Sequence, residues 1–195
     1  TVSPDNLVYT IRLRPGLTFS DGSALTAEDV AFTLTMLHDP TLESETDIMP
    51  AAIAGGAEYK AGKADGISGI KVIDPQTIEI TTTRPGAKTL ALLGGPVLSK
   101  AHYGKGFARG QLDGIRALGG DPLGAGPYVF DKFIPGQEVR FHANPTYFSG
   151  KPAVEHLRAL DPTLRIADLP DWVLLHRPED LATFADGLRR AGLPE

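Results

Sequence analysis

The chain has 195 residues, of which 42% are apolar and 22% charged, and its formal net charge is -5. These values are typical of soluble globular proteins, so they argue against an intrinsically disordered or membrane-spanning chain, and the scattered Lys and Arg residues argue against a nucleic-acid or anionic-lipid partner. Cysteine is absent, which excludes disulfides and thiolate chemistry.

The first predicted element is a β-strand at residues 7–13. Its apolar residues alternate with more polar ones and share one face: Leu7, Tyr9, Ile11 and Leu13. Alternation with a period of two is typical of a half-buried strand. Two turn signals follow, Pro15-Gly16 and Asp21-Gly22, because proline fixes φ and glycine tolerates positive φ. We therefore expect the chain to reverse direction twice before residue 26.

A capped helix is predicted next. Thr26 is an N-cap residue, and Asp29 stands three residues later in the capping-box position. The helix has one apolar face, made by Val30, Leu34 and Leu37. Asp39-Pro40 ends it, because the residue before a proline disfavours the helical region.

The middle of the chain alternates between loops and short elements. The segment from Ala51 to Tyr59 favours at most a short helix within a glycine-rich loop. Two β-branched runs, Ile70–Ile73 and Thr77–Thr82, flank Asp74-Pro75 and predict an antiparallel hairpin. Residues 87–93 predict one or two helical turns. The run that follows, Gly94, Gly95 and Pro96, forces an irregular loop.

A second hairpin is predicted from Tyr128–Ile134 and Gln137–His142, which flank Pro135-Gly136. Its expected core residues are Val129, Val139 and Phe141. Beyond it, Trp172–Leu175 is typical of a short buried strand. A final helix begins at Pro178 and ends before Gly192, with an apolar face made by Leu181, Phe184 and Leu188.

These elements predict an α+β fold, a mixed or antiparallel sheet with flanking helices, because hairpins alternate with helices rather than with crossover units. The length allows one domain or two small subdomains. We expect residues 1–157 to form one unit that includes a hairpin subdomain. Residues 158–195 are expected to form a separate C-terminal segment with a helix.

Three phrases in order resemble the family-5 extracellular solute-binding proteins, a group that includes dipeptide, oligopeptide and nickel binding proteins. The first is LVYTIRLRPGLTFSDGSALTAEDVAFTL at residues 7–34, the second is VIDPQTIEI around Asp74, and the third runs from Gly120 to Pro152. The residues inside these phrases are turn and cap residues, so we expect them to be scaffold rather than ligand contacts. After residue 152 the resemblance fades.

The resemblance implies part of one lobe of a type II periplasmic-binding-protein-like fold. It implies capture of a small solute, expected to be an oligopeptide, for delivery to an ABC permease, in the periplasm or at the cell surface as a lipoprotein. No enzyme activity and no cofactor are implied. Because Thr1–Pro4 is not a signal peptide, any export signal is expected upstream. The match covers most of one lobe, so we expect this chain to bind solute weakly or not at all.

The first place to look for ligand contacts is the loop of Gly94, Gly95 and Pro96 with nearby Tyr103, since loops on a rigid scaffold tend to carry binding. A plain connector is the alternative for these residues. A sensory or interaction module that reuses the fold also stays open, because fold does not fix function.

Enzymatic and cofactor sites find little support in the sequence. Ser99, Lys100 and His102 are close together, but no G-x-S-x-G elbow surrounds Ser99, so a polar loop is expected there rather than a hydrolase site. Val129 replaces the third glycine of a dinucleotide motif that would begin at Gly124. The histidines fall into no metal-ligand spacing, so no metal site is expected: His38, His102, His142, His156 and His176.

Overall fold

A computed structural model describes residues 1–42, 47–134 and 138–150 of the chain. Its main sheet is antiparallel, in the order β1-β3-β2, and is built from β1 (Val8–Arg12), β2 (Ile70–Asp74) and β3 (Thr77–Thr81). The first predicted strand and the first predicted hairpin are confirmed. The pairing of β1 with β3, which sets Tyr9 opposite Ile80, was not predicted.

Helix α1 (Ala27–Leu37) begins and ends where the sequence predicts. Thr26 has extended backbone, and its N–H donates to the Asp29 carboxylate at 2.8 Å. The capping-box prediction is therefore confirmed. The Thr26 hydroxyl also donates to this carboxylate, at 3.0 Å, so Asp29 accepts both bonds at the helix start.

The core lies between α1 and one face of the main sheet. Ile78 and Ile80 of β3 are fully buried, and Tyr9 of β1 is 5% exposed. Burying an aliphatic side chain of this size contributes roughly 1.5–3 kcal/mol. The cluster of buried apolar residues comprises Tyr9, Ala27, Val30, Leu34, Ile48, Ala51, Ile53, Tyr59, Ile67, Ile78, Ile80 and Leu93.

The described residues also form four short α-helices: α2 (Gly56–Lys60), α3 (Thr89–Leu93), α4 (Lys100–Tyr103) and α5 (Asp113–Ala117). The helix expected within residues 51–59 is shorter and starts later, because Ala52 and Gly55 have φ of 53° and 79° and cannot continue a right-handed helix. The helical turn expected before Gly94 is confirmed as α3. Helix α5 was not predicted.

The second predicted hairpin is confirmed as β4 (Tyr128–Ile134) paired antiparallel with β5 (Glu138–Ala143). Asn144 closes its base, since the Asn144 N–H donates to the Pro127 carbonyl and its side-chain amide to the Gly126 carbonyl, both at 2.8 Å.

The expected core role of two hairpin residues is wrong. Val139 and Phe141 are 50% and 56% exposed, whereas Val129 is half-buried. The physical reason is that β4 and β5 form a sheet of two strands, and the described part of the chain leaves the apolar face of that sheet in solvent.

Several expectations concern residues outside the described ranges. The turn at Pro135-Gly136, the boundary at residue 157, the strand at Trp172–Leu175 and the final helix all lie there. They stay predictions. Within the described ranges, every helix is too short or too polar to cross a membrane.

His38 is a buried titratable group at the end of α1. The His38 side chain is 1% exposed, and its Nδ1–H donates to the Leu34 carbonyl at 2.7 Å. The imidazole ring packs against Gly56 so closely that a Cβ atom added to Gly56 would lie 2.6 Å from the His38 Nε2. Burial is the largest influence and lowers the pKa of His38, while the bond to Leu34 opposes that effect; Lys60 lowers this pKa further and Asp47 raises it.

We expect the folded chain to lose stability as the pH falls below about 6.5, the ordinary pKa of histidine. The folded state binds the His38 proton less readily than the unfolded state, so this stabilisation is complete above the unfolded pKa and is lost as the pH falls towards the folded one. Urea unfolding of the wild type and of His38→Gln between about pH 5 and 7 measures the effect. The wild type should show the steeper loss, and equal slopes would contradict the assignment.

Candidate functional site

A surface hollow near the predicted site lies between α1 and the segment from α3 to Leu98. Its volume is about 450 Å³, which is within the range of small-molecule sites. Residues from α1 form the floor, and Gly94, Gly95 and Pro96 form part of the rim. The full lining comprises Val30, Thr33, Leu34, Met36, Leu37, Ala91, Leu92, Leu93, Gly94, Gly95, Pro96, Val97 and Leu98.

Two side chains of α1 hold residues 98–100, at one end of the rim, against the helix. Thr33 accepts a hydrogen bond from the Leu98 N–H at 2.8 Å and donates its own proton to the Asp29 carbonyl, also at 2.8 Å. The second carboxylate oxygen of Asp29 accepts from the Lys100 N–H at 2.8 Å. These bonds fix the position of residues 98–100 against the helix.

The hollow can hold an apolar group but offers little chemistry. Thr33 is the single polar side chain in its lining, and the hydroxyl of Thr33 already donates one hydrogen bond and accepts another. The lining therefore contains no acid, base or nucleophile that could attack a ligand.

Two neighbouring glycines in the rim differ in backbone conformation. Gly95 has a φ of 147°, which residues with a side chain rarely adopt. Gly94 has an ordinary extended conformation with a φ of -89°. A Cβ atom on Gly94 would make normal contacts with α3, at 3.6 Å from the Ala91 carbonyl oxygen.

Gly95→Ala is expected to destabilise the chain by about 1–3 kcal/mol, because alanine cannot adopt the Gly95 backbone without strain. Gly94→Ala is the matched control and is expected to be almost neutral. Chemical unfolding of both variants checks this expectation. Equal stability of the two variants would show that the rim does not require the observed conformation.

The expectation of a polar loop at Ser99, Lys100 and His102 is wrong. Ser99 is 2% exposed and caps α4, since its hydroxyl oxygen accepts from the His102 backbone N–H at 3.2 Å. The His102 ring instead bonds to the Asp121 carbonyl through Nε2 at 3.0 Å. Ser99 and the His102 imidazole thus have different partners and form no proton-transfer pair.

Tyr103 does not line the hollow. It is 8% exposed, and its hydroxyl accepts from the Leu123 N–H at 2.8 Å and lies 3.4 Å from the Leu123 carbonyl. Close by, the Ser20 N–H donates to the Gly124 carbonyl at 2.9 Å. In this structure Tyr103 therefore holds the linker that leads to β4, while the three other predicted site residues stand at the hollow.

The described histidines have separate partners. His38 bonds to Leu34, His102 to Asp121, and the His142 Nδ1 lies 2.6 Å from an Asp131 carboxylate oxygen. Over residues 1–42, 47–134 and 138–150, no group of three or more His, Asp or Glu side chains is arranged to hold a metal ion. His156 and His176 lie outside these ranges.

The hydrogen bond by which Thr33 holds Leu98 against α1 was not predicted. One sequence signal was present, because Thr33 lies beside Val30 and Leu34 on the apolar side of α1, and a polar group buried there needs a hydrogen-bond partner. The identity of that partner, 65 residues away at Leu98, could not be read from a helical pattern.

Comparison with known proteins gives a consistent result. Residues 1–165 match the bacterial extracellular solute-binding proteins, family 5, middle region. Di/tripeptide-binding protein 2 of Pseudomonas aeruginosa is 35% identical over 94% of this chain and 36% of its own length. The chain therefore spans about a third of the length of this relative.

Solved structures show the same fold. Lactococcal OppA, complexed with an endogenous peptide in the closed conformation, has a TM-score of 0.67 at 24% identity and covers 90% of this chain and 37% of its own. A periplasmic oligopeptide-binding protein of a Borrelia burgdorferi oligopeptide ABC transporter has a TM-score of 0.60 at 25% identity, over 76% of this chain and 29% of its own. Both matches cover only part of the larger protein.

Proposed function

The chain belongs to the bacterial extracellular solute-binding proteins of family 5, and from that premise we propose that its protein captures small peptides outside the cytoplasm and delivers them to the permease of an ABC importer. The observation that carries this proposal is the 35% identity, over 94% of the chain, to a di/tripeptide-binding protein. The likeness to a periplasmic protein of an oligopeptide ABC transporter supports both the location and the partner.

The proposal includes that the protein binds its ligand without changing it chemically. The hollow is apolar, and Ser99 and His102, the residues that suggested a hydrolase, are engaged with backbone groups. A protein that only captures its ligand needs contacts that favour a ligand-bound conformation, and it needs no nucleophile or base. The protein would then return the peptide unchanged.

The rim residues Gly94, Gly95 and Pro96 are the proposed ligand contacts of this chain. All three are exposed, and they edge a hollow whose apolar floor suits an apolar side chain of a peptide. Tyr103 would act at a distance, by fixing the linker at Leu123. A direct contact between Tyr103 and ligand stays a prediction that would require this buried side chain to move.

A growth assay tests the proposal. In an amino-acid auxotroph of the cell that carries the gene, disruption should prevent growth on a dipeptide that contains the required amino acid. Growth on the free amino acid should be unchanged, because it does not need the peptide importer. A plasmid copy of the gene should restore growth on the dipeptide. Unchanged growth on di- and tripeptides after disruption would contradict peptide import.

A further inference from the structure

The β4–β5 hairpin is a separate sheet, and a short linker connects it to the rest of the described chain. Its strands pair with each other, and within the described ranges neither strand joins the main sheet. The linker, residues 121–127, forms no helix or strand. Because no strand pairing fixes the hairpin to the main sheet, the contacts of the linker have a large influence on the orientation of the hairpin.

Two neighbouring side chains of α4 hold the first part of the linker. The His102 Nε2–H donates to the Asp121 carbonyl at 3.0 Å. The Tyr103 hydroxyl accepts from the Leu123 N–H at 2.8 Å. The rings of His102 and Tyr103 meet edge to face with centroids 4.7 Å apart, so each ring supports the position of the other. We name this pair of side chains, His102 and Tyr103, the latch.

Helix α4 is itself fixed to the body of the chain, which gives the latch a firm base. The Lys100 N–H donates to the Asp29 carboxylate at 2.8 Å, and the Ser99 hydroxyl oxygen accepts from the His102 N–H at 3.2 Å. Asp29 is 6% exposed and Ser99 is 2% exposed. Water therefore cannot easily replace either bond, because a buried donor that loses its partner is left unsatisfied.

The anchored parts of the linker leave one short stretch between them. On the side of the body, the Ser20 N–H donates to the Gly124 carbonyl at 2.9 Å. On the side of the hairpin, the Asn144 side-chain amide donates to the Gly126 carbonyl at 2.8 Å. Ala125 lies between these two anchors, and the glycines on either side of it have wide backbone freedom. These three linker residues are therefore placed to absorb a rotation of the hairpin, as hinge residues between elements do.

A side-chain contact also joins the body to the segment that follows the hairpin. The Arg14 guanidinium lies 5.2 Å from the centroid of the Phe148 ring, and Phe148 is 52% exposed. A cation–π contact at an exposed site is weak. It can steady the hairpin, but it is a poorer constraint on orientation than the bonds to the linker.

We propose that the hairpin is a hinged unit, in which residues 124–126 are the hinge and the latch sets the orientation of the hairpin. When the latch opens, the hairpin turns as a rigid body. Its strand pairing persists, because Asn144 closes the base of the hairpin independently of the latch. Tyr103 is then a positioning residue. This proposal goes beyond peptide capture and does not rest on it.

Distances between two spin labels on the 195-residue chain test the proposal. The chain contains no cysteine, so Lys71→Cys on β2 and Val139→Cys on β5 place one label on each sheet, both at exposed positions. With the latch intact, the distances should form one narrow distribution. Tyr103→Phe removes only the hydroxyl and should widen this distribution by about twofold or more, because the hinge is then less constrained.

Two further variants make this measurement specific. Tyr9→Phe is the matched control, since Tyr9 is 5% exposed, close to the 8% of Tyr103, but packs in the main core. It should leave the distribution unchanged. His102→Phe keeps a ring against Tyr103 but loses the bond to Asp121, and it should also widen the distribution. Unchanged distances in both latch variants, or equal widening in Tyr9→Phe, would overturn the proposal.

Hydrogen exchange of the unlabelled chain separates rotation of the hairpin from its unfolding. In the wild type the Leu123 amide should be protected, because it donates to Tyr103. Tyr103→Phe should speed its exchange by more than about tenfold, while the amides between β4 and β5 stay protected. An unprotected Leu123 amide in the wild type would overturn the proposal. Loss of protection throughout the hairpin in Tyr103→Phe would overturn it as well, because the latch would then stabilise the hairpin itself and not its orientation.

Discussion

Gly69→Ala is expected to reduce the free energy of unfolding by about 3 kcal/mol or more, because the new methyl group would meet backbone on two sides. A Cβ atom at residue 69 would overlap the Thr81 carbonyl oxygen and would lie 2.8 Å from the Ala54 amide nitrogen and 2.9 Å from the Ala54 carbonyl oxygen. Backbone atoms cannot rotate away as a side chain can. Strand β3, which contains Thr81, and the loops that contain Ala54 and Gly69 would therefore have to move apart.

The same three residues form a closed set of backbone hydrogen bonds. The Gly69 N–H donates to the Ala54 carbonyl at 2.7 Å, the Thr81 N–H donates to the Gly69 carbonyl at 2.7 Å, and the Ala54 N–H donates to the Thr81 carbonyl at 2.9 Å. Separation of the segments would strain all three bonds. This coupling is why the expected effect is larger than that of a typical surface substitution.

Gly66→Ala is the matched control for Gly69→Ala. A Cβ atom on Gly66 would meet nothing within 4 Å, and the residue lies in the same loop. Guanidinium unfolding of both variants measures the difference. If the two variants have the same midpoint, the packing around Gly69 is looser than the structure shows.

Asp29→Ala is expected to cost about 3 kcal/mol, since two backbone N–H groups would lose their acceptor and each such loss costs roughly 1–3 kcal/mol. Asp29 is 6% exposed. One of its carboxylate oxygens accepts from the Thr26 N–H, and the other accepts from the Lys100 N–H, 71 residues away. The variant should therefore loosen both the start of α1 and the rim of the hollow.

Two controls separate these contributions. Thr26→Ala removes one hydroxyl bond to Asp29 and is expected to cost about 1 kcal/mol, the usual value for a cap. Glu28→Ala removes an exposed ion pair with Lys100 at 2.8 Å and should change stability by less than about 1 kcal/mol. A cost for Asp29→Ala no larger than that for Thr26→Ala, measured by urea unfolding, would contradict the role of Asp29 as a tertiary link.

Local sequence patterns predicted the elements whose causes are local. The capping box at Thr26 and Asp29 predicted the start of α1, and β-branched runs around Asp74-Pro75 predicted the first hairpin. In each case the residues that specify the element lie within a few positions of it, so turn chemistry and periodicity are sufficient.

Contacts between distant segments were not predictable in the same way. The pairing of β1 with β3 and the bonds from Asp29 and Thr33 to residues 98–100 depend on how segments pack, which no periodicity encodes. The second hairpin shows the same limit. Alternation around Val139 identified an apolar face, but it could not show that the described residues leave this face uncovered.

The irregular backbone at Gly94, Gly95 and Pro96 could be predicted from glycine and proline alone. These residues edge a hollow, and their contact with a ligand stays a prediction. Tyr103 is near these residues in sequence, yet a short helix turns it towards Leu123 instead. Ser99 was misread because its polar side chain is buried and caps α4 rather than facing water.

On the proposed function, this chain is part of a peptide-capturing protein and supplies one open wall of its ligand site. Ligand sites usually bury about 70–90% of a small molecule, whereas the rim at Gly94, Gly95 and Pro96 is exposed. A ligand that is contacted on one side only makes fewer favourable contacts than an enclosed ligand, whereas the entropic cost of immobilising it is the same.

Calorimetric titration of the 195-residue chain with di- and tripeptides tests this claim most directly. We predict weak heats that do not saturate in the micromolar range, because an open wall supplies too few contacts. A saturable one-to-one isotherm with a micromolar or tighter dissociation constant would show that the chain holds a complete site and would contradict the claim of a single open wall.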